Sequence, residues 1–403
     1  MINPSYQKKG VKTLEWIFLY LAITDALAFT MGNTTLTLKY LAPIVIASKY
    51  VFILTAFILI GRLRLSLNYK YVWVPIVIWL VYFLSSLNGK LFVSPLALMI
   101  LGGFCILPNI IKANVYRKYR QWIILMCGGG ILAYMSFVLN LGLPYTRVDY
   151  YSINVSAYYV DYIFSILCLG IFDIRLCGLF NEPGYLGTIV ALILIIEDCN
   201  LKKVGNVIML LAGVLTFSLA FYVLLIIYFL MRMIKNVTTV IITVCAFALI
   251  FNYIQNTQFE DPQVQYLVNR FKFDKTTGEM SGDNRTSYDF ELAYQRMIDD
   301  GDLLLGKGSD SMEGKFTATS SYKALIYKHG LIGFIVIVGS MFIASYPIAK
   351  RNREALIFLL CFFVSIYQRP NVFTLVYFCL LFGGLAYLKE KSLTTKLIEN
   401  EKC

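Results

Sequence analysis

The chain has 403 residues, 58% of them hydrophobic and only 15% charged, with a mean hydropathy of +0.67. A soluble protein of this size cannot cover that much apolar surface, and several runs reach the roughly 20 residues that cross a bilayer. The net charge is +12, but most Lys and Arg fall in short loops between apolar runs, where positive-inside topology accounts for them and nucleic acid is not expected as a partner.

The expected class is therefore an all-α polytopic membrane protein, a single integral membrane domain over 1–403. Lys8, Lys9 and Lys12 precede a first apolar run, Leu14 to Met31, which lacks a small-residue cleavage site followed by a soluble domain and reads as a retained helix. The periodicity predicts helices over about 13–31, 39–61, 71–87, 92–111 and 121–143. A polar, tyrosine-rich segment from Pro144 to Asp161 comes next. The apolar piece Tyr162–Phe172 is too short to span, so it is expected to lie at the interface or re-enter. A sixth helix is expected over about 183–198.

The run Val207 to Met233 reads either as one long helix or as two short ones turning near Thr216-Phe217-Ser218. Lys202–Lys203 before it and Arg232 with Lys235 after it should share the cytoplasmic side, which requires an even number of crossings and favours the pair. Further helices are expected over about 237–255, 323–347, 355–367 and 372–388. The sum is about twelve crossings with both termini cytoplasmic, and the polar segments 144–182 and 256–322 then fall on the same outer face.

The chemistry concentrates around Arg175-Leu176-Cys177-Gly178-Leu179-Phe180-Asn181-Glu182-Pro183-Gly184-Tyr185-Leu186-Gly187, where a polar segment gives way to an apolar helix. Pro183 suits the first helical position, where a missing N–H costs nothing. The amides of Gly184 and Tyr185 would then face the polar side at the positive end of the helix dipole. With Arg175 and Glu182 beside it, this end is expected to receive an anionic, lipid-linked substrate.

In the second outer segment, Asp283 is a plausible N-cap and Gly301 a plausible stop. Arg285, Asp289 and Arg296 between them share one helical face within about 40°. Two readings stand for that face: arginines gripping a pyrophosphate bidentately, or a solvated helix in which Asp289 pairs with Arg285. Asp299, Asp300 and Asp302 are either a Mg²⁺ cluster or ordinary turn residues around Gly301, and the reading assigns no metal and no cofactor. Asp25 and Lys49 inside expected spans are functional candidates or a structural pair. His329, the only histidine, is either a helix-end structural residue or a base. Gly128-Gly129-Gly130 is expected to allow close helix packing. The nine cysteines include no C-x-x-C, so a structural zinc site is not expected.

Three pieces resemble the bacterial O-antigen polymerase and O-antigen ligase superfamily, the Wzy-type polytopic glycosyltransferases. Arg175-x-x-Gly178-x-Phe180-x-Glu182-Pro183-Gly184-Tyr185-Leu186-Gly187 is close to the family's R-x-x-G-x-F-x-(N/E)-P-x-x-L-(G/A). Leu215-Thr216-Phe217-Ser218 is similar to T-F-S-R, with Leu219 in place of the arginine. The stretch from Arg285 through Leu304-Leu305-Gly306-Lys307-Gly308 to Tyr322 and Gly330-Leu331-Ile332-Gly333 is similar to R…P-x-x-G-x-G…H-N-x-Y…G-L-x-G. The resemblance covers about residues 120–345, and Thr319-Ser320 stands where ligases of the superfamily carry a histidine-asparagine pair, which favours a polymerase.

The resemblance implies a GT-C-like membrane glycosyltransferase of the bacterial inner membrane. It would join undecaprenyl-pyrophosphate-linked repeat units into a surface polysaccharide, O-antigen or capsule, at the periplasmic face. The implied partners are that lipid-linked glycan, membrane lipid and a chain-length regulator protein. Arg175 and Arg285 would contact pyrophosphate with Glu182 as base, and Arg296, Arg147, Asn181, Tyr185, Asp289 and Tyr322 would bind substrate. A helix N-terminus and Arg175 would keep Glu182 ionised and a weaker base, so an orienting or ion-pair role stays open. The alternatives are an O-antigen ligase and a lipid-linked oligosaccharide flippase or transporter. Against the latter, charges concentrate in the two outer segments, and matching internal halves are not evident.

Overall fold

The computed structural model describes residues 4–28, 37–86, 95–152, 155–170, 174–233, 287–308 and 321–402, with isolated positions between 249 and 272 and Ser311. The helix expected over 237–255, Arg285, the Asp283 cap and Thr319-Ser320 lie outside them, apart from a few scattered positions. The described chain is mostly helical, in the order α1 (Pro4–Asp25), α2 (Ala42–Leu63), α3 (Trp73–Ser85), α4 (Pro95–Ile106) and α5 (Asn109–Val138). After a four-stranded sheet come α6 (Pro183–Ile196), α7 (Val204–Leu215), α8 (Leu219–Met233) and α9 (Tyr288–Asp299). Then follow α10 (Tyr322–Ala349), α11 (Arg353–Gln368), α12 (Leu375–Phe378), a π turn (Cys379–Gly383) and α13 (Gly384–Lys402).

Three helical stretches among the described residues, Leu38–Leu63, Asn109–Val138 and Tyr322–Ala349, are long and apolar enough to cross a membrane. Apolar side chains such as Ile44, Val51, Leu54 and Ile58 stand exposed along α2, as a lipid-facing helix requires. α6 is different: all fourteen of its residues are buried. A helix apolar all round has no polar face to show water, so it becomes the axis of the core. α7, α8, α11 and the sheet pack around it. At its C-terminal end, Glu197 pairs with Arg120 at 3.4 Å and with Lys203 at 2.7 Å. These cations come from the stretches expected to be cytoplasmic.

The sheet corrects the all-α expectation. Thr146–Ser152, Val155–Asp161, Ile166–Leu169 and Ile174–Gly178 form β1 to β4, an antiparallel meander in the order β1-β2-β3-β4. Tyr162–Phe172, expected at the interface or re-entrant, instead supplies β3. Alternation explains it: Leu167 and Leu169 face the helical core, while Ile166 and Cys168 face a small cluster with Val148, Tyr159 and Cys177. The glycine run in α5 receives this sheet rather than another helix. A Cβ on Gly130 would sit 2.9 Å from Leu176, and one on Gly129 would sit 3.4 Å from Phe164.

Val207–Met233 is two helices, with the turn at Thr216-Phe217-Ser218 as expected. α5 begins about a dozen residues before its expected start, so Arg117, Lys118 and Arg120 stand on a helix that extends past its apolar part. α9 starts at Ser287, whose hydroxyl accepts the Phe290 amide at 3.4 Å. It ends at Gly301, whose φ of +81° closes the helix as expected.

α10 is broken at Gly330, where φ is 71° and ψ is 171°. A break inside a helix frees amides and carbonyls that must find partners. Here the 303–308 loop supplies them. Leu331 N donates to Leu303 O at 2.8 Å and Ile332 N to Leu304 O at 3.3 Å. In return Lys307 N donates to Tyr327 O at 2.7 Å and Gly308 N to Lys328 O at 3.1 Å. The approach is close enough to require two glycines. A Cβ on Gly330 would lie 2.1 Å from Leu304 O, and a Cβ on Gly306 would lie 2.4 Å from Gly330 N. The loop at 303–308 and the helix at 327–332 thus form one backbone joint.

Candidate functional site

The N-terminal end of α6 opens into a cavity of about 440 Å³. Its wall is built by the turn before α6 (Asn181, Glu182, Tyr185), the first half of broken α10 (Ala324, Leu325, Lys328), the segment after α11 (Arg369, Asn371, Phe373, Thr374) and Tyr82 of α3. Each piece is set by a local rule. Gly178 ends β4 with φ +64°, and a Cβ there would press on the Met126 sulfur at 3.1 Å. Phe180 is fully buried, edge-on to Tyr185 at 5.1 Å and to Trp122 at 6.1 Å. Tyr159 of β2 donates to the Asn181 carbonyl at 3.1 Å, and Ala28 N donates to Leu179 O at 3.0 Å. Glu182 then adopts extended backbone as the N-cap position, and Pro183 is the first helical residue as expected.

The carboxylate of Glu182 pairs with Arg369. The Arg369 guanidinium is almost fully buried while Glu182 is about half exposed to the cavity. Arg369 is held from behind: its amide donates to Ser365 O at 2.9 Å and its carbonyl accepts Tyr377 OH at 3.0 Å. Its Nε is buried with no hydrogen-bond partner among the described residues, an unmet donor that costs about 1–3 kcal/mol until an acceptor arrives. Lys328 ends the first half of α10 on the same wall. The site thus combines two cations, one carboxylate and the start of a buried helix around one opening. Such an arrangement favours a multiply charged anion next to polar, hydroxyl-bearing groups.

Several expected roles move. Arg175 does not line the cavity. Its Nε donates to Thr216 O at 3.0 Å and a terminal nitrogen donates to Phe217 O at 3.3 Å. It therefore clamps the α7–α8 turn, in which Phe217 has φ +45°. Gly187 meets the same turn, since a Cβ there would fall 2.7 Å from the Ser218 Cβ. The first two motif pieces are thus physically interlocked. Of the two amides expected to face substrate, that of Tyr185 is engaged by Glu182 O at 3.1 Å. Asn181 and Tyr185 do line the cavity.

Arg296 and Asp289 are exposed on α9, which presents Phe290 and Met297 to α10, and neither is part of the cavity wall. Lys323 and Glu291, paired at 2.7 Å, tie α9 to the start of α10. Tyr322 stacks on Tyr367 with centroids 4.7 Å apart. Arg147 lies 3.8 Å over the Tyr158 ring on the sheet, away from the cavity wall. Lys307 bridges Asp300 at 2.8 Å and Asp302 at 2.6 Å. These bonds hold its ammonium above the ordinary lysine value, and among the described residues no cluster of metal-ligating side chains forms.

Asp25 pairs with Lys49 at 3.6 Å and caps α12 by accepting Leu375 N at 2.7 Å, so that pair is structural. His329 is buried, with Nδ1 2.8 Å from Ser85 Oγ and its ring 4.2 Å from that of Tyr82. It supports the cavity wall from behind. Lys328, Tyr82, Asn371 and Thr374 carried no signal in the reading by motif. The neighbourhood of Gly330 and of the Gln368-Arg369-Pro370-Asn371 turn is where such a signal lay.

The chain matches no protein-family model, no curated protein and no solved structure.

Proposed function

We propose that this protein polymerises undecaprenyl-pyrophosphate-linked oligosaccharide repeat units by glycosyl transfer at the outer face of the bacterial inner membrane. The observation that carries the reading is the cavity at the start of α6, where Glu182 and Arg369 pair beside Lys328. On this reading the described helices belong to a frame of about twelve crossings, GT-C-like in plan, with both termini cytoplasmic. The cavity then opens outward.

In the transfer, a hydroxyl of the acceptor sugar attacks the anomeric carbon of the donor, and lipid pyrophosphate leaves. The leaving group gathers negative charge, which Arg369 and Lys328 are positioned to offset, with the Nε of Arg369 as one available donor. Glu182 orients the acceptor hydroxyl or accepts its proton. Arg175 acts at a distance by holding the 216–218 turn against α6. Asn181, Tyr185 and Tyr82 offer polar and aromatic surface to sugar rings. A chain-length regulator would act on the outer surface of the same frame.

The test is the surface-glycan ladder of cells lacking the gene, with the ligase intact. Collapse to core plus one repeat, restored by the wild-type gene and not by Glu182→Gln or Arg369→Ala at normal protein level, is the expected outcome. Loss of all attached glycan with lipid-linked polymer accumulating would mean a ligase. Lipid-linked units trapped on the cytoplasmic side would mean a flippase.

A further inference from the structure

Of the seven described cysteines, Cys105, Cys127, Cys199, Cys361 and Cys379 lie on helices or at a helix end. Cys168 and Cys177 stand apart, on neighbouring strands β3 and β4. Both belong to the small cluster on the far face of the sheet from the helical core. Cys168 is paired in register with Arg175. The register then slips, because Ile166 pairs with Gly178 while Leu167 pairs with Leu176. Cys177 is therefore the extra residue of a β-bulge, with no partner of its own across the ladder. Cys168 packs against the cluster that holds Cys177.

We propose that Cys168 and Cys177 are joined by a disulfide bond in the mature protein. The inference rests on the reading that the segment 144–182 faces outward, into an oxidising compartment. The oxidant is a protein disulfide of the thiol–disulfide oxidoreductase class. The Cys168 thiolate, the less buried of the two, attacks it and forms a mixed disulfide, releasing one oxidoreductase thiol. The Cys177 thiolate then attacks the Cys168 sulfur and releases the second thiol. Two protein thiols are oxidised and one disulfide of the donor is reduced, with both protons ending on the donor's sulfurs. Burial holds the Cys177 thiol well above its ordinary value in the packed sheet. The second exchange therefore belongs to folding, before β4 is covered. The ring so closed contains Arg175, the clamp on the α7–α8 turn.

The experiment uses the full chain in cells quenched with acid and alkylated with a maleimide in denaturant without reductant. The expected result is a peptide pair linked through Cys168 and Cys177, with both residues alkylated only after reduction. A second sample carries Tyr145→Cys, an exposed position just before β1, probed on spheroplasts with an impermeant maleimide. If protein labelled at position 145 has Cys168 and Cys177 both alkylated without reductant, the disulfide is overturned and the outward reading stands. If position 145 is not labelled from outside, the outward reading falls, and Cys168 and Cys177 both alkylated without reductant in that sample overturn the disulfide with it.

Discussion

The joint between Gly330 and the 303–308 loop makes the sharpest prediction. Gly330→Ala places a methyl 2.1 Å from Leu304 O and forces a side chain onto φ 71°, ψ 171°. That backbone region is essentially restricted to glycine and costs on the order of 1–3 kcal/mol for another residue. Relief of the clash means moving the loop, which breaks up to four backbone hydrogen bonds across the joint. At about 0.5–1.5 kcal/mol net each, their loss adds roughly 2–6 kcal/mol. The sum is at least about 3 kcal/mol, or a fall in Tm of roughly 6 °C at about 2 °C per kcal/mol. Gly339→Ala, on the same helix with nothing within 4 Å of the new methyl, is the internal control. It should leave stability unchanged or raise it by about 0.5–1 kcal/mol. The assay is thermal unfolding of the detergent-solubilised protein followed by tryptophan emission. Equal melting temperatures for the two variants would refute the joint.

Arg175→Lys should destabilise by about 1.5–3 kcal/mol, since one ammonium cannot reproduce a guanidinium bonded to Thr216 O and Phe217 O, and melting of the same preparation would show it. Gly187→Ala should disrupt the same contact from the other side, by way of Ser218, and is expected to lower folded yield on size exclusion. Arg369→Ala and Lys328→Ala should shorten the glycan ladder while leaving stability within about 2 kcal/mol of wild type, whereas Arg296→Ala should leave the ladder unchanged. Lys307 has its ammonium favoured by two carboxylates. Its contribution is therefore complete below the ordinary lysine value and lost only as pH rises through the higher folded value. Hydrogen exchange in the 300–308 loop, corrected for the intrinsic rate, should be flat across neutral pH and speed up in strongly alkaline solution; a change between about pH 6 and 8 would count against that pairing.

Three helical stretches are legible because their apolar runs are long enough to cross a membrane, and the turn at Thr216-Phe217-Ser218 follows from charge balance alone. Pro183 at the start of α6 followed from its missing amide. The sheet was not legible. Its strands are four to seven residues long, and Tyr162–Phe172 reads as a short helix or a strand equally well by apolar content. Arg175 stands near Glu182 in the chain and reads as a site residue, but it does not line the cavity, since a strand residue projects across the sheet rather than along the chain. The residues that complete the cavity, Lys328 and Arg369, come from a broken helix and from a turn far along the sequence. No spacing rule joins them to Glu182; only packing does.

The three motif pieces turn out to do different work around one buried helix. Arg175 and Gly187 lock the start of α6 to the turn between α7 and α8. Gly306 and Gly330 lock the break in α10. What these two joints hold between them is a short stretch of helix start, Asn181 to Tyr185, facing the end of a half-helix that carries Lys328. A shift of about an ångström in either joint would separate Glu182 from Arg369 or turn Lys328 away. Positioning of this kind is worth as much to a transfer reaction as the charged groups themselves. The same guanidinium fork that can grip a phosphate can grip a pair of backbone carbonyls, and here Arg175 grips those of Thr216 and Phe217. The two cations on the cavity wall, Lys328 and Arg369, are a pair that no sequence pattern singled out.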